Sequence, residues 1–235
     1  EAVKGFDERG KSKYKYVFLE TGRTSLMILE QIQVGHMAVF AYLIGDEQTG
    51  EAMLVDPAAD VGRLLGEARK RGLQIRLIVN THGHVDHIAG NADCRKETGA
   101  KIVIHELDAD MLTSTPSIML RMFNAKASPP ADITVRDGDT VSAGGISLQV
   151  FHTPGHTPGG VCLYSPGFVL TGDTLFVESV GRTDFPGGSW EALRNSIVTR
   201  LLTLPEETVV LPGHNYGRVP RSTIGHEKRH NPFLR

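Results

Sequence analysis

The chain has 235 residues, 40% of them hydrophobic and 22% charged, with a formal net charge of -2. That is globular composition, long enough for one large domain or two small ones. The near-neutral charge argues against nucleic acid as a partner, and no apolar run approaches the length of a membrane span. A small-molecule ligand is the expectation that remains.

Residues 1–25 are mixed and charged, and are expected to form an N-terminal arm or an added strand ahead of one domain at 26–235. The arm also offers a surface for a homodimer contact. Segments 37–44 and 52–55 read as strands around the turn 45–50, an antiparallel hairpin closed by Asp56-Pro57. Val61, Leu64, Leu65 and Ala68 follow at helical spacing, with Gly72 as the stop. The apolar, β-branched run 75–80 reads as a buried strand. Asn91 is expected to cap a helix that runs to Thr98 and stops at Gly99. After a short strand at 101–104, residues 105–123 are predicted helical with a break near Pro116. Met111, Met119 and Met122 there are expected in core packing rather than along a flexible wall. Strands are predicted at 133–135, 145–151, 161–164, 168–170 and 208–211. Ser189 is expected to cap a helix that turns Leu193, Ile197 and Leu201 inward, and a last helix falls around 224–229. This order of strands, helices, strands, helix and strand suggests two mixed halves in one sandwich, helices outside.

Chemistry concentrates between the 75–80 strand and the following helix, in Thr81-His82-Gly83-His84-Val85-Asp86-His87. Imidazoles this close repel when protonated, yet sit together comfortably when neutral and bound to a metal. Three more loops each follow an apolar strand and each present a metal-type ligand: His156, Asp173 and His214. Five histidines and two aspartates are too many for one tetrahedral zinc and suit two cations sharing a carboxylate. Gly83, Gly155, Gly172 and Gly213 flank these ligands, where the chain must turn sharply. No ligand role is assigned to His36, His105, His152, His226 or His230. Cys94 and Cys162 lie outside the ligand loops, so thiolate chemistry is not indicated and a reduced, cytoplasmic setting is the default.

The motif His82-x-His84-x-Asp86-His87, with Thr-Pro-Gly-His156, Thr-Gly-Asp173-Thr and Leu-Pro-Gly-His214, resembles the metallo-β-lactamase-fold superfamily over about residues 37–214. Within it the chain is similar to the glyoxalase II-like hydrolases. The resemblance implies an α+β fold, a four-layer αββα sandwich with the site at one edge of its two sheets. It also implies that His82, His84 and His156 hold one metal, that Asp86, His87 and His214 hold a second, and that Asp173 bridges them. Two divalent ions, zinc first and iron or manganese as alternatives, would then supply hydroxide for attack on a thioester or related ester. Asp86 would orient that hydroxide. Arg182 is a candidate for a substrate carboxylate, with an ion pair to Asp184 as its alternative role, and Tyr216 is a candidate to touch substrate.

Residues 181–185 resemble a segment shared by small glyoxalase II-like enzymes and by the persulfide dioxygenases, a different reaction class that keeps the same ligand types. In the dioxygenases a single iron would be held by His82, His156 and Asp173, a facial triad suited to dioxygen. Two departures separate this chain from that group: Phe233 follows Asn231-Pro232 where an arginine is typical, and Val180 stands where a cysteine often precedes Gly181-Arg182.

Overall fold

The computed structural model describes residues 2–6, 12–20 and 23–235, with side chains described from Met27 on. Of the expected arm, residues 1, 7–11 and 21–22 lie outside the described residues. Eight strands form one sheet in chain order: β1 (Ala2–Phe6), β2 (Ser12–Glu20), β3 (Arg23–Val34), β4 (Val39–Asp46), β5 (Glu51–Val55), β6 (Gln74–Val79), β7 (Lys101–His105) and β8 (Ile133–Val135). The pairings are antiparallel up to β5 and parallel from β5 to β8. The connections carry α1 (Val61–Lys70), α2 (Val85–Ile88), α3 (Asn91–Thr98), α4 (Met111–Ser114) and α5 (Ser117–Met122).

The second half builds a six-stranded sheet. Its strands are β9 (Thr140–Ala143), β10 (Ile146–His152), β11 (Val161–Ser165) and β12 (Phe168–Gly172), with β15 (Val209–Pro212) and β16 (Ser222–Thr223) beyond a separate ribbon of β13 (Leu175–Phe176) and β14 (Ser179–Val180). Two helices follow strands of this half, α6 (Trp190–Ser196) and α7 (Ile224–His230).

Three apolar layers explain why the two sheets stack. Between the sheets pack Phe40, Tyr42 and Ile44 of β4 against Leu148, Val150, Leu163, Phe168 and Leu170. The intervening residues of β4, Val39, Ala41 and Leu43, face the other way and pack under Leu64, Leu65 and Ala68 of α1 and Cys94 of α3. Both faces of β4 are therefore covered, which is why its sequence is continuously apolar. Leu193, Ile197, Leu201 and Ile224 cover the outer face of the second sheet. The result is the four-layer αββα sandwich expected from the sequence.

Two local expectations are corrected, and two features were not foreseen. Asn91 does not cap α3: Gly90 holds that position, and the Asn91 amide instead donates to Asn80 Oδ1 and Ser128 Oγ at 2.8 and 3.1 Å. Strand β9 was not expected, because Thr140–Ala143 is too short for its alternation to stand out. Helix α6 runs on as a π-helical turn at Ile197–Leu201. The methionines of 111–122 are not core: Met111 and Met119 line a cavity, and Met122 is 67% exposed.

Backbone hydrogen bonds then pin the two sheets together along one edge. Phe40 N donates to Gly213 O at 2.8 Å, Asn215 N to Ala38 O at 2.9 Å, and Val161 N to Thr81 O at 2.9 Å. Tyr42 Oη donates to Pro212 O at 2.6 Å. The ligand-bearing loops sit along this edge, after β6, β10, β12 and β15.

Phe168 is fully buried between the sheets, so Phe168→Ala is expected to lower stability by about 3–5 kcal/mol in chemical denaturation. On α1, hydrogen bonds from Lys70 and then Arg71 hold the Glu67 pKa at about 2, below its ordinary 4.5. A depressed carboxyl pKa contributes stability above the unfolded value and loses it as pH falls through the folded one. Glu67 is partly exposed, so Glu67→Gln is expected to cost less than ~1 kcal/mol at pH 7. Denaturation midpoints measured against pH should show that difference vanishing between about pH 4.5 and 2.

Candidate metal centre

The loop after β6 is held by two buried carboxylates. Asp56, at the end of β5, accepts from Thr81 N at 2.8 Å, from Thr81 Oγ1 at 2.7 Å and from His87 Nδ1 at 2.9 Å. Asp108 accepts from Gly83 N at 3.0 Å, from Thr157 Oγ1 at 2.7 Å and from Gly159 N at 2.6 Å. The first carboxylate thus fixes the loop to its own sheet, and the second ties it to the loop carrying His156. Helix α2 starts straight after His84 and turns Asp86 and His87 inward.

Each buried imidazole has one nitrogen anchored and the other aimed at a common space. Thr81 Oγ1 spends its single proton on Asp56, so it accepts from His82 Nδ1 at 3.1 Å. His156 Nδ1 donates to Arg182 O at 2.7 Å and His214 Nδ1 to Met37 O at 2.9 Å. These bonds assign the tautomers and leave the Nε2 lone pairs facing inward. His84 Nδ1 then lies 2.9 Å from His156 Nε2, and His87 Nε2 lies 3.1 Å from His214 Nε2. Asp173 Oδ2 is 3.5 Å from His156 Nε2 and 3.3 Å from His214 Nε2, while its Oδ1 is 3.4 Å from His87 Nε2. Asp86 Oδ2 is 3.4 Å from His214 Nε2.

The ligand atoms fall into groups within 4.8 Å of one another: His82, His84 and His156; Asp86, His87 and His214; and His82, His87 and Asp173 linking them. All seven ligand candidates read from the sequence are therefore brought together. The residues fit divalent cations on the chemistry of the donors. Ring nitrogens facing each other this closely need a proton or a cation between them. His82 Nε2 and Asp173 Oδ1 are buried with no hydrogen-bond partner, which is costly unless something else satisfies them. Gly213 forms part of the cradle, since a Cβ there would collide with Asp173 Oδ1.

The electrostatics divide the centre. Burial, then repulsion from His87 and His156, holds His82 well below the ordinary imidazole pKa. Burial and His156 bring His84 down to about 4. Burial disfavours a charged His87 as well, but Asp173, Asp86 and Asp56 outweigh it and raise its pKa to about 9. Burial is likewise overcome at His214, where hydrogen bonds to Asp173 and Asp86 raise the pKa to about 10. Burial works against ionised Asp86 and Asp173, yet His87 and His214 hold both below the usual carboxylate range. His82 and His84 are thus held neutral and ready to ligate. At His87 and His214, imidazole protons supply the positive charge that a cation brings when it displaces them.

The remaining candidates lie around this core. Tyr216 stacks on the His214 ring, centroids 4.4 Å apart, and lines the adjoining cavity. Arg182 also lines that cavity, but its guanidinium forks onto Asp184 at 2.7 and 2.6 Å, the alternative role foreseen for it. His152 stays outside the centre, stacked on His105 at 4.1 Å. Both cysteines are free and buried, and burial raises their thiols to about 12 at Cys94 and about 11 at Cys162. Sequence reading missed the two anchors. Asp56 carried a weak signal as the Asp-Pro that ends a strand; Asp108 carried none, because Gly159 is 51 residues away.

Removing an anchor should loosen the ligands without deleting one. Asp56→Asn is expected to weaken divalent-cation affinity about 10–100-fold, read by metal competition with a chromogenic chelator. Unchanged affinity would overturn the anchoring role.

Comparison with known proteins agrees with this geometry. A family model described as the Metallo-beta-lactamase superfamily matches residues 34–214. Hydroxyacylglutathione hydrolase GloC of Haemophilus influenzae is 33% identical over 213 residues, covering 88% of this chain and 98% of that protein. The mitochondrial persulfide dioxygenase ETHE1 of Homo sapiens is 32% identical over 216 residues, covering 91% of this chain and 78% of that protein. The crystal structure of TTHA1623 in a di-iron-bound form is 33% identical with a TM-score of 0.77, covering 87% of this chain and 100% of that one. With the family model spanning every ligand from His82 to His214, and relatives above 30% identity along most of its length, this chain belongs to the metallo-β-lactamase superfamily.

Proposed function

We propose that the protein is a metal-dependent hydrolase of thioesters or related esters, similar to glyoxalase II. The observation that carries this reading is the second ligand group. Asp86, His87 and His214 lie within reach of one another, and both histidines are anchored from behind by Asp56 and by Met37 O. His82, His84 and His156 would hold one divalent ion, zinc or iron, Asp86, His87 and His214 the other, and Asp173 would serve both. Bound there, the ions would supply Lewis acidity, to lower the pKa of a bound water and polarise a carbonyl.

The residues of the chain do the rest. Asp86 is the more open of the two carboxylates, 17% exposed against 9% for Asp173, and accepts a hydrogen bond from the attacking water. Tyr216 keeps its phenol proton, since burial and then Asp173 and Asp86 raise it to about 12. It therefore acts as a hydrogen-bond donor toward substrate, not as a base. Neither buried thiol serves as a nucleophile, so the acyl group passes to water directly.

A second reading, iron-dependent persulfide oxidation, is supported by the likeness to ETHE1 and would use His82, His156 and Asp173. Elemental analysis of protein purified without added metal, paired with thioester cleavage and oxygen uptake on a persulfide, separates the two. Close to two metals per chain with thioester cleavage is the expected result. One iron per chain with oxygen consumption would replace the hydrolase by the dioxygenase. Asp86→Ala is expected to lower thioester cleavage on the order of 10²-fold or more, and an unchanged rate would sink the role given to this carboxylate.

A further inference from the structure

We infer that the cavity beside the ligand groups is an acyl pocket, and that the thioester it takes carries an uncharged, apolar acyl chain of medium length. The inference rests on the hydrolase reading for its chemistry and on the cavity for its specificity. The cavity measures about 620 Å³, within the range of pockets that enclose a whole small ligand. Its walls include Met111, Met119, Phe123, Phe176 and Phe185. The apolar wall reaches the ligand groups directly. Phe185 stands edge-on to His84 at 5.4 Å, and Phe176 edge-on to His214 at 5.9 Å. A chain lying on this wall has its carbonyl end at the histidines and aspartates.

Charge makes the complementary point. Among the described residues, Arg182 is the only lysine or arginine lining the cavity. Its guanidinium is taken up by both oxygens of Asp184 and lies 3.9 Å over the Phe185 ring. A tripeptide carrier such as glutathione brings two carboxylates and an ammonium group. Away from the ligand groups, a carboxylate seated in this cavity meets no lysine or arginine other than the Asp184-paired Arg182, which disfavours binding. An alkyl chain meets no such penalty and removes apolar wall from water.

The wall is also built to adapt. Helix α5 buries none of its six residues, and Met119 extends from it into the cavity. Methionine repacks around ligands of different shape more readily than branched or aromatic side chains. A short hydroxyacyl group would leave most of this surface wet.

The test uses the metal-loaded protein and a series of acyl thioesters of one neutral thiol, N-acetylcysteamine, from acetyl to decanoyl, with S-lactoylglutathione alongside. Binding of octanamide and of acetamide is measured in parallel by isothermal titration, which needs no turnover. We expect kcat/KM to rise about fourfold per methylene through octanoyl, the rate equivalent of burying one CH₂. Octanamide should bind and acetamide should not. Met119→Asp, on a helix whose residues bear no core load, should flatten the chain-length dependence and weaken octanamide binding. Equal hydrolysis of short and long chains, or S-lactoylglutathione as the best substrate, overturns the inference and leaves the hydrolase standing. Octanamide binding that Met119→Asp abolishes, without hydrolysis of any thioester, keeps the apolar pocket and removes the hydrolase reading. Neither binding nor hydrolysis overturns both.

Discussion

Five imidazoles and two carboxylates share one small, largely buried space, and their mutual electrostatics constrain everything around them. Lone pairs directed at each other across about 3 Å repel, and unpaired carboxylate oxygens away from water are unstable. The chain does not relieve this by moving the groups apart. It fixes four of the imidazoles, His82, His87, His156 and His214, from behind instead. Asp56 and Asp108 take the backbone and hydroxyl protons of the ligand loops, and carbonyls of Met37 and Arg182 fix two ring orientations. The outward-facing nitrogens are spent on structure, which leaves the inward-facing ones for a cation.

Holding that arrangement needs a rigid frame, and the frame is the sandwich. Its inner layer, from Phe40 to Phe168, locks the two sheets face to face, and the bonds linking Phe40 with Gly213 and Thr81 with Val161 align their edges. Ligands that are 132 residues apart in the chain, His82 and His214, are thereby set in one centre. The far wall of the cavity is tied down separately. Glu227 and Asn231 of the C-terminal segment hold Glu178 N and Ser179 O of the β13–β14 ribbon, which carries Phe176.

Rigidity and adaptability are divided between regions. The centre is largely buried, and its anchors Asp56 and Asp108 are each held by three hydrogen bonds. The opposite wall, α5 with its exposed Ile118 and Met122, has few internal contacts to lose. A site that holds its reacting end fixed and yields at the other end suits substrates that share one functional group and differ in the attached chain.

The sequence alone was enough to read the sandwich and to single out the seven candidate metal ligands. Alternating and continuous apolar runs reveal strands by their periodicity. Histidines and aspartates placed just after such strands, beside glycines, reveal ligands, because those residue types at those positions have few other uses. Local chemistry of this kind is written in neighbouring residues. What the tertiary structure decided is the part carried by distant pairs: that Asp108 reaches Gly159, that Asp56 supports Thr81 and His87, that Arg182 is held by Asp184 rather than free for substrate, and that the methionines of 111–119 face a cavity instead of a core. A lone aspartate in a loop looks like any surface carboxylate, and a helical methionine looks like core packing. Only the meeting of two chain segments decides what each one touches, and no periodicity encodes that meeting.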